Sequence, residues 1–222
     1  MSDSPPARTG RAWVLSDEVP TGPWGAKRRL AAELRALTTL CMNTTADVAL
    51  IDQATAKAEA LRALLETVDT HTSADGWRDR SYFDQPHVFA DRGILIGHCN
   101  PASPPLTLDW DGQRSTGTAV FSTAFEGMPD VLHGGVVAAC FDQVLGHALI
   151  CSGLPGITGQ LTVRYKQICR CHVSLQFTGW VHQDNGRTFT LRGEVHEGDR
   201  LLATAEALFV RIDRKKIEGF VG

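Results

Sequence analysis

The sequence predicts an α+β fold in which an antiparallel β-sheet wraps around one central helix, with a helical extension on the N-terminal side. Three observations lead to this prediction. Apolar residues recur at helical spacing early in the chain, they alternate with polar residues beyond about residue 105, and a nearly all-apolar segment lies among those alternating runs. A helix that is apolar on almost every side must be enclosed, and an antiparallel sheet with tight turns has one face to bury.

Length and composition fit a soluble globular protein with one core and a smaller appendage. The chain has 222 residues, of which 43% are hydrophobic and 21% charged, and its net charge of -3 gives no basic surface for nucleic acid. No window reaches the roughly 18 apolar residues of a membrane span, and the N-terminus lacks the apolar region of a signal peptide. We therefore expect a cytoplasmic protein whose six cysteines are reduced.

The first half of the chain divides into three segments. Residues 1–25 are rich in Ser, Pro, Gly and Arg and predict a flexible tail. Residues 26–70 predict a helical hairpin, with leucines at helical spacing between Lys27 and Met42 and a second helix that follows an N-cap pattern at Thr44 and Asp47. Its expected role is packing or oligomer contact, and a regulatory role stays open. Residues 71–104 contain Pro86, Pro101 and Pro104, with Pro105 directly after them, and predict a connecting arm that marks a domain boundary.

Residues 105–213 predict the main domain. Two strands flank an Asp111–Gly112 turn, a helix follows from about Gly134 to Cys151, and alternating segments after it predict four more strands. Turns at 184–186 and 197–199 join the last three strands as hairpins. The predicted order is therefore β-β-α-β-β-β-β.

The central helix carries the candidate site in the segment "HGGVVAACFDQVLG", residues 133–146. Asp142 lies in a helix predicted to be enclosed, where a carboxylate is costly unless it is paired or functional. The helix begins with Gly134 and Gly135, whose N–H groups can receive a developing negative charge without a side chain in the way. An oxyanion site near an acid is suited to acyl transfer.

Together with "TGQLTVRYKQ" and "ATAEALFV", this segment resembles the hotdog-fold acyl-CoA thioesterases, and more narrowly their phenylacetate-pathway (PaaI-like) branch, over about residues 90–212. The resemblance implies an acyl-CoA thioester hydrolase. It implies that the Gly134 N–H polarises the thioester carbonyl, that Asp142 acts as general base or nucleophile, and that Thr158 helps to hold the water. His133 is implied as an organiser of the start of the helix, with a purely structural role as the alternative.

The sequence departs from the family pattern at two places. Several relatives carry an Asn six residues before the His, where this chain has Gly127, and Glu126, Asp130 or Asn100 are open as substitutes. The proline usual after the "Y-K" strand is replaced by Ile168–Cys169, which affects the shape of that edge.

A distance argument predicts a homodimer. Gly134 and Asp142 are eight residues apart, so they are separated by about 12 Å along one helix, and one thioester carbon cannot touch both. An antiparallel helix from a two-fold partner would bring the Gly134 of one chain beside the Asp142 of the other. The family's dimers, often paired into homotetramers, fit this expectation.

The remaining site residues concern substrate binding. Gly135 belongs to the same helix start, and Gln143 either touches the acyl group or fills a polar gap. Arg164 and Lys166, with Arg170, are candidates for the phosphates of coenzyme A, with a solvated strand face as the alternative.

Coenzyme A enters only as part of the substrate, so no cofactor is expected. No metal is expected either, because Cys169-x-Cys171-His172 lacks a second ligand pair. Two other functions stay open: a non-catalytic acyl-CoA-binding or regulatory protein, and hydration or dehydration of a hydroxyacyl-CoA.

Overall fold

The structure is a computed structural model that describes residues 20–79 and 87–213. Most of the predicted tail, residues 1–19, lies outside the described residues, and the chain is already helical from Gly22. In chain order the elements are α1 (Gly22–Asn43), α2 (Val48–Leu65), α3 (Ser73–Arg78), α4 (His87–Arg92), β1 (Thr107–Trp110), β2 (Arg114–Val120), a 3₁₀ turn (Thr123–Phe125), β3 (Glu126–Met128), β4 (Val131–Leu132), α5 (Gly134–Cys151), β5 (Gly156–Tyr165), β6 (Ser174–Asp184), β7 (Thr188–Glu197) and β8 (Arg200–Arg211).

Six strands form one antiparallel sheet in the order β1-β2-β6-β7-β8-β5, and β3 and β4 form a separate small ribbon. Alternating residues of β6, β7 and β8 are buried, as the period of two predicts. The hairpin turns at Gly112, Gly186 and Gly198 all have positive φ, which glycine adopts without strain. The predicted α+β architecture, six strands around one helix, is confirmed.

Helix α5 packs against one face of this sheet and forms the centre of the core. Val144 and Leu145 are completely buried there. Two sheet glycines let the helix come close, because a Cβ on Gly117 would lie 2.6 Å from the Val144 side chain and one on Gly179 would lie 2.9 Å from that of Leu145. By length and composition α5 is the one helix of the described chain that could cross a membrane, but its packing is that of a core helix.

The predicted connecting arm is corrected by the structure. Residues 87–106 are part of the main core, since Ala90, Leu95 and Ile96 are buried in the same cluster as α5 and the sheet. The Leu106 N–H also donates to the Leu95 carbonyl. No domain boundary therefore lies at residues 104–105. The sequence pattern did not distinguish this segment from a linker, because α3 and α4 have only six residues each and prolines lie nearby.

Helix α1 is fastened to this region by two arginines. Arg28 forms a bidentate ion pair with Asp91, whose side chain is completely buried. About two turns later, Arg35 donates to the carbonyls of His98 and Asn100, at 3.3 and 3.0 Å. The extension therefore begins as a clasp across residues 91–100.

The predicted hairpin is corrected to two successive helices, of which the second buries no residue. Helix α2 has no buried residue, and α1 and α2 are not among the packed element pairs of the described chain. Its N-cap is Asp47, which accepts from the Leu50 N–H at 2.9 Å, whereas Thr44 ends α1. The leucine spacing predicts helices but does not define their partner.

Candidate active site

The start of α5 is organised by His133. His133 is the N-cap residue, and its Nδ1 accepts the N–H of Gly135 at 3.0 Å. This contact uses the Gly135 N–H, so the expectation of a free donor at Gly135 is corrected. A Cβ at Gly127 would lie 3.0 Å from the Cα of His133, so the glycine leaves room for the capping residue.

Gly134 is the first residue of α5, and its two backbone groups face different partners. Its carbonyl accepts a hydrogen bond from the Tyr165 hydroxyl at 2.6 Å. Its N–H donates to no group within the described ranges, which leaves it as an open donor at a helix N-terminus. Sequence reasoning did not assign Tyr165 to the site, although this residue lies in the quoted "TGQLTVRYKQ" segment. Burial raises the pKa of the Tyr165 hydroxyl, which therefore stays a proton donor.

Asp142 and Thr158 are in direct contact. The Thr158 hydroxyl donates to Asp142 Oδ1 at 2.7 Å, so the residue at the start of β5 reaches the acid sixteen positions before it. Asp142 itself is exposed in the single chain, and its predicted enclosure is corrected. Because the carboxylate lies on the side of α5 that faces the β5 edge, the sheet does not cover it.

A cavity of about 320 Å³ opens beside this pair. Asp142, Thr158 and the half-buried Gln143 lie at its polar side. Its apolar walls come from four elements and the segment after α4, and they are Ile96, Leu108, Ile150, Ile157 and Phe209. The site therefore combines an acid, a hydroxyl and an apolar pocket, an arrangement suited to a substrate with an apolar group next to a reactive centre.

His147 is a third polar residue of α5 on this cavity, after Asp142 and Gln143, and sequence reasoning missed it. It is 4% exposed; its Nδ1 lies 2.7 Å from the hydroxyl of the buried Ser115, and its Nε2 lies 3.4 Å from the Cys151 sulfur. Burial lowers the pKa of His147, and Asp109 opposes this shift. The sequence feature that could have indicated His147 is its position in an apolar segment, five residues after Asp142.

The basic residues proposed for phosphate contact are not gathered at the site. Arg164 lies on the outer face of the sheet, opposite α5, where it lines a different cavity with Arg192, Glu194 and Glu206. Strand alternation explains this, because the neighbouring Val163 packs on the core. Lys166 is exposed beyond the end of β5. Arg170, also considered, is paired with Glu197.

The candidates to replace the family Asn have other partners. The Asn100 side chain bonds to the Arg92 and Gly93 carbonyls and to the Ala102 N–H, and Glu126 accepts the N–H of Asp130. The ligand atoms of Glu126, Asp130 and His172 lie within 4.8 Å of one another. Exposed acidic groups commonly converge in this way without a metal.

Comparisons with known proteins agree with the sequence resemblance. The thioesterase superfamily family model matches residues 130–207. A solved structure described as a thioesterase superfamily protein is 25% identical, covers 87% of this chain and 93% of its own, and superposes with a TM-score of 0.71. No curated protein matches significantly.

Two further solved structures cover about half of the chain. A hypothetical thioesterase protein with coenzyme A from Streptococcus pneumoniae is 18% identical, covers 48% of this chain and 87% of its own, and has a TM-score of 0.45. A phenylacetic acid degradation-related protein from Ralstonia eutropha is 18% identical, covers 47% and 83%, and has a TM-score of 0.43.

Proposed function

We propose, from the match of residues 130–207 to the thioesterase superfamily model, that this protein hydrolyses the thioester of an acyl-CoA to a free acid and coenzyme A. The single observation that carries the proposal is the contact of Thr158 with Asp142 at the mouth of an apolar cavity. An acid and a hydroxyl placed together beside an acyl-sized pocket can position and activate water.

The proposed reaction uses three groups. The Gly134 N–H, at the positive end of α5, stabilises the oxyanion that forms as the thioester carbonyl is attacked. Asp142 takes the proton of the attacking water, which Thr158 helps to hold, or attacks the carbonyl itself as a nucleophile. In the first case the C–S bond then breaks, and coenzyme A leaves with the thiol proton returned by Asp142. In the second case coenzyme A leaves as the thiolate and an acyl–Asp142 anhydride forms; water then hydrolyses this anhydride, which releases the acid, regenerates the Asp142 carboxylate and supplies the proton that the thiolate takes up.

We propose that the working enzyme is a homodimer. Gly134 and Asp142 are eight residues apart on α5, about 12 Å along the axis, and they contact opposite ends of β5 through Tyr165 and Thr158. β5 is a ten-residue edge strand whose outer side is unpaired in the sheet. Long open edges tend to pair with another chain, and antiparallel pairing of two β5 strands would place each Tyr165 end near the partner's Thr158 end.

The test is thiol release from a graded acyl-CoA series by the Asp142→Asn variant. The variant keeps the shape and removes the charge, so kcat should fall about 10² to 10⁴-fold. Asp52→Asn on the exposed α2 makes the same charge change away from the site and should leave kcat unchanged. Full turnover by a folded Asp142→Asn would refute the assignment, and acyl-CoA binding without hydrolysis by the wild type would favour the non-catalytic binding protein.

A further inference from the structure

Gly146 lies in the interior of α5, and no packing neighbour in the described part of the chain explains it. Glycine stabilises a helix interior less than alanine does, so a mid-helix glycine normally reflects a close neighbour. Gly117 and Gly179 have such neighbours, because a Cβ on either would come within 3 Å of α5 side chains. A Cβ on Gly146 would meet no atom of residues 20–79 or 87–213 within 4 Å. The space over Gly146 is therefore open.

This open space is the cavity beside Asp142. Gln143, Gly146, His147 and Ile150 all line it, and their spacing of three, four and seven residues places them on one face of α5. Gly146 lies one turn beyond Asp142 on this helix. A group attached to a carbonyl near Asp142 would thus extend along the helix and pass over Gly146.

The walls of the cavity select an apolar group. Ile96, Leu108, Ile157 and Phe209 surround the space over Gly146. His147 adds little polarity, because both of its ring nitrogens have partners in Ser115 and Cys151. A cavity of roughly 150 Å³ with similar walls binds benzene, and this one has about 320 Å³.

We propose that Gly146 sets the size limit of the acyl pocket, and that the substrate carries an apolar acyl group at least as large as a benzene ring. This inference rests on the proposed thioesterase function. The acyl group lies over Gly146 with its carbonyl toward Asp142. Glycine is retained because any side chain at position 146 would occupy the space of the acyl group.

The experiment compares acetyl-, octanoyl- and phenylacetyl-CoA as substrates of the wild type, Gly146→Ala and Gly146→Leu. The wild type should prefer octanoyl- or phenylacetyl-CoA to acetyl-CoA. The comparison of these two larger substrates distinguishes a pocket for a linear chain from a pocket for a ring. In Gly146→Leu the ratio of kcat/KM for the preferred large substrate to that for acetyl-CoA should fall at least about tenfold, with a smaller fall in Gly146→Ala. Ala60→Leu, on exposed α2, should leave the ratio unchanged.

Two further measurements separate the possible failures. Gly146→Ala should raise the midpoint of thermal unfolding, because the added methyl group meets no neighbour and favours the helix. A non-hydrolysable thioether analogue of octanoyl-CoA should bind the wild type and lose affinity at least about tenfold in Gly146→Leu, even if hydrolysis itself is absent. An unchanged substrate ratio in Gly146→Leu, or a variant that loses activity only because it no longer dimerises, would overturn the proposal.

Discussion

Asp142 and His147 lie five residues apart on α5, and their surroundings give them opposite properties. Asp142 is exposed and accepts a hydrogen bond from Thr158, whereas His147 is 4% exposed beneath the same cavity. Burial lowers the pKa of His147 from its ordinary value of 6.5, so the folded protein favours the neutral imidazole. His147 therefore supports the wall of the pocket as a neutral, hydrogen-bonded ring.

This burial predicts a pH dependence of stability. Because the pKa of His147 is lower in the folded than in the unfolded chain, the unfolded chain binds more protons below pH 6.5, and stability should fall as the pH drops below that value. Urea unfolding between pH 7.5 and 5.5 measures the slope. His147→Gln should reduce it, while His182→Gln, on the exposed end of β6, should not. Burial also lowers the pKa of His98, so part of the slope of stability against pH should remain in His147→Gln. A slope in His147→Gln equal to that of the wild type would contradict the account.

The family resemblance predicted part of the candidate site. The Thr158 that it implied, sixteen residues after Asp142, contacts that acid. The enclosure of Asp142 was wrong because an apolar composition does not show which side of a helix the sheet leaves open. Arg164 lies on the outer face of the sheet, as the alternative of a solvated strand face expects, because its orientation follows from the alternation of β5. His147 was overlooked because its partner Ser115 is 32 residues away.

At the level of elements, α1 depends on one buried ion pair. Arg28 contacts both oxygens of Asp91, and the Arg28 and Asp91 side chains are 13% and 0% exposed. Asp91 belongs to α4, whose neighbours Ala90 and Ile96 are part of the core. The segment that carries Ile96 to the cavity is thereby held on its outer side by α1.

Arg28→Ala should destabilise the protein by about 3 to 5 kcal/mol, because it leaves the Asp91 carboxylate buried without its cation. Arg29→Ala, at the adjacent exposed position, should change stability by less than about 0.5 kcal/mol. Chemical denaturation gives both values. A double replacement, Arg28→Met with Asp91→Leu, should recover part of the loss; a cost of Arg28→Ala no larger than that of Arg29→Ala would show that the clasp does not hold α1.

Sequence periodicity predicted the elements better than their packing. The strands and α5 follow from alternation and from the apolar run, and α5 has the predicted bounds. The buried position of α4 was not predictable, because the partner of Asp91 lies 63 residues away in the chain. The exposed apolar residues of α2 likewise show a helix but not its partner.

At the scale of the whole molecule, the central proposal is that two chains complete one site. Each chain has an open N–H at Gly134 and an acid at Asp142. Gly134 contacts β5 at its Tyr165 end, and Asp142 contacts it at Thr158, near the other end. The distance along α5 predicted this separation from the sequence. The open edge of β5 is the structural feature that now gives a partner chain a place to bind.

Complementation between two inactive chains tests this proposal directly. Asp142→Asn removes the acid, and Gly134→Pro removes the N–H at a helix position that accepts proline, after a residue already extended at φ -60 and ψ 132. The two variants are co-expressed with different tags, and heterodimers are isolated through both tags. Gly134→Ala, which keeps the N–H, serves as the control for the added side chain.

If the site is shared, each heterodimer contains one site with both groups intact and one with neither, and it should recover about half of the wild-type kcat per dimer. Each parent homodimer should remain inactive under the same conditions. If heterodimers are no more active than their parents while Gly134→Ala retains activity, the two groups act within one chain or not at all, and the shared site is wrong.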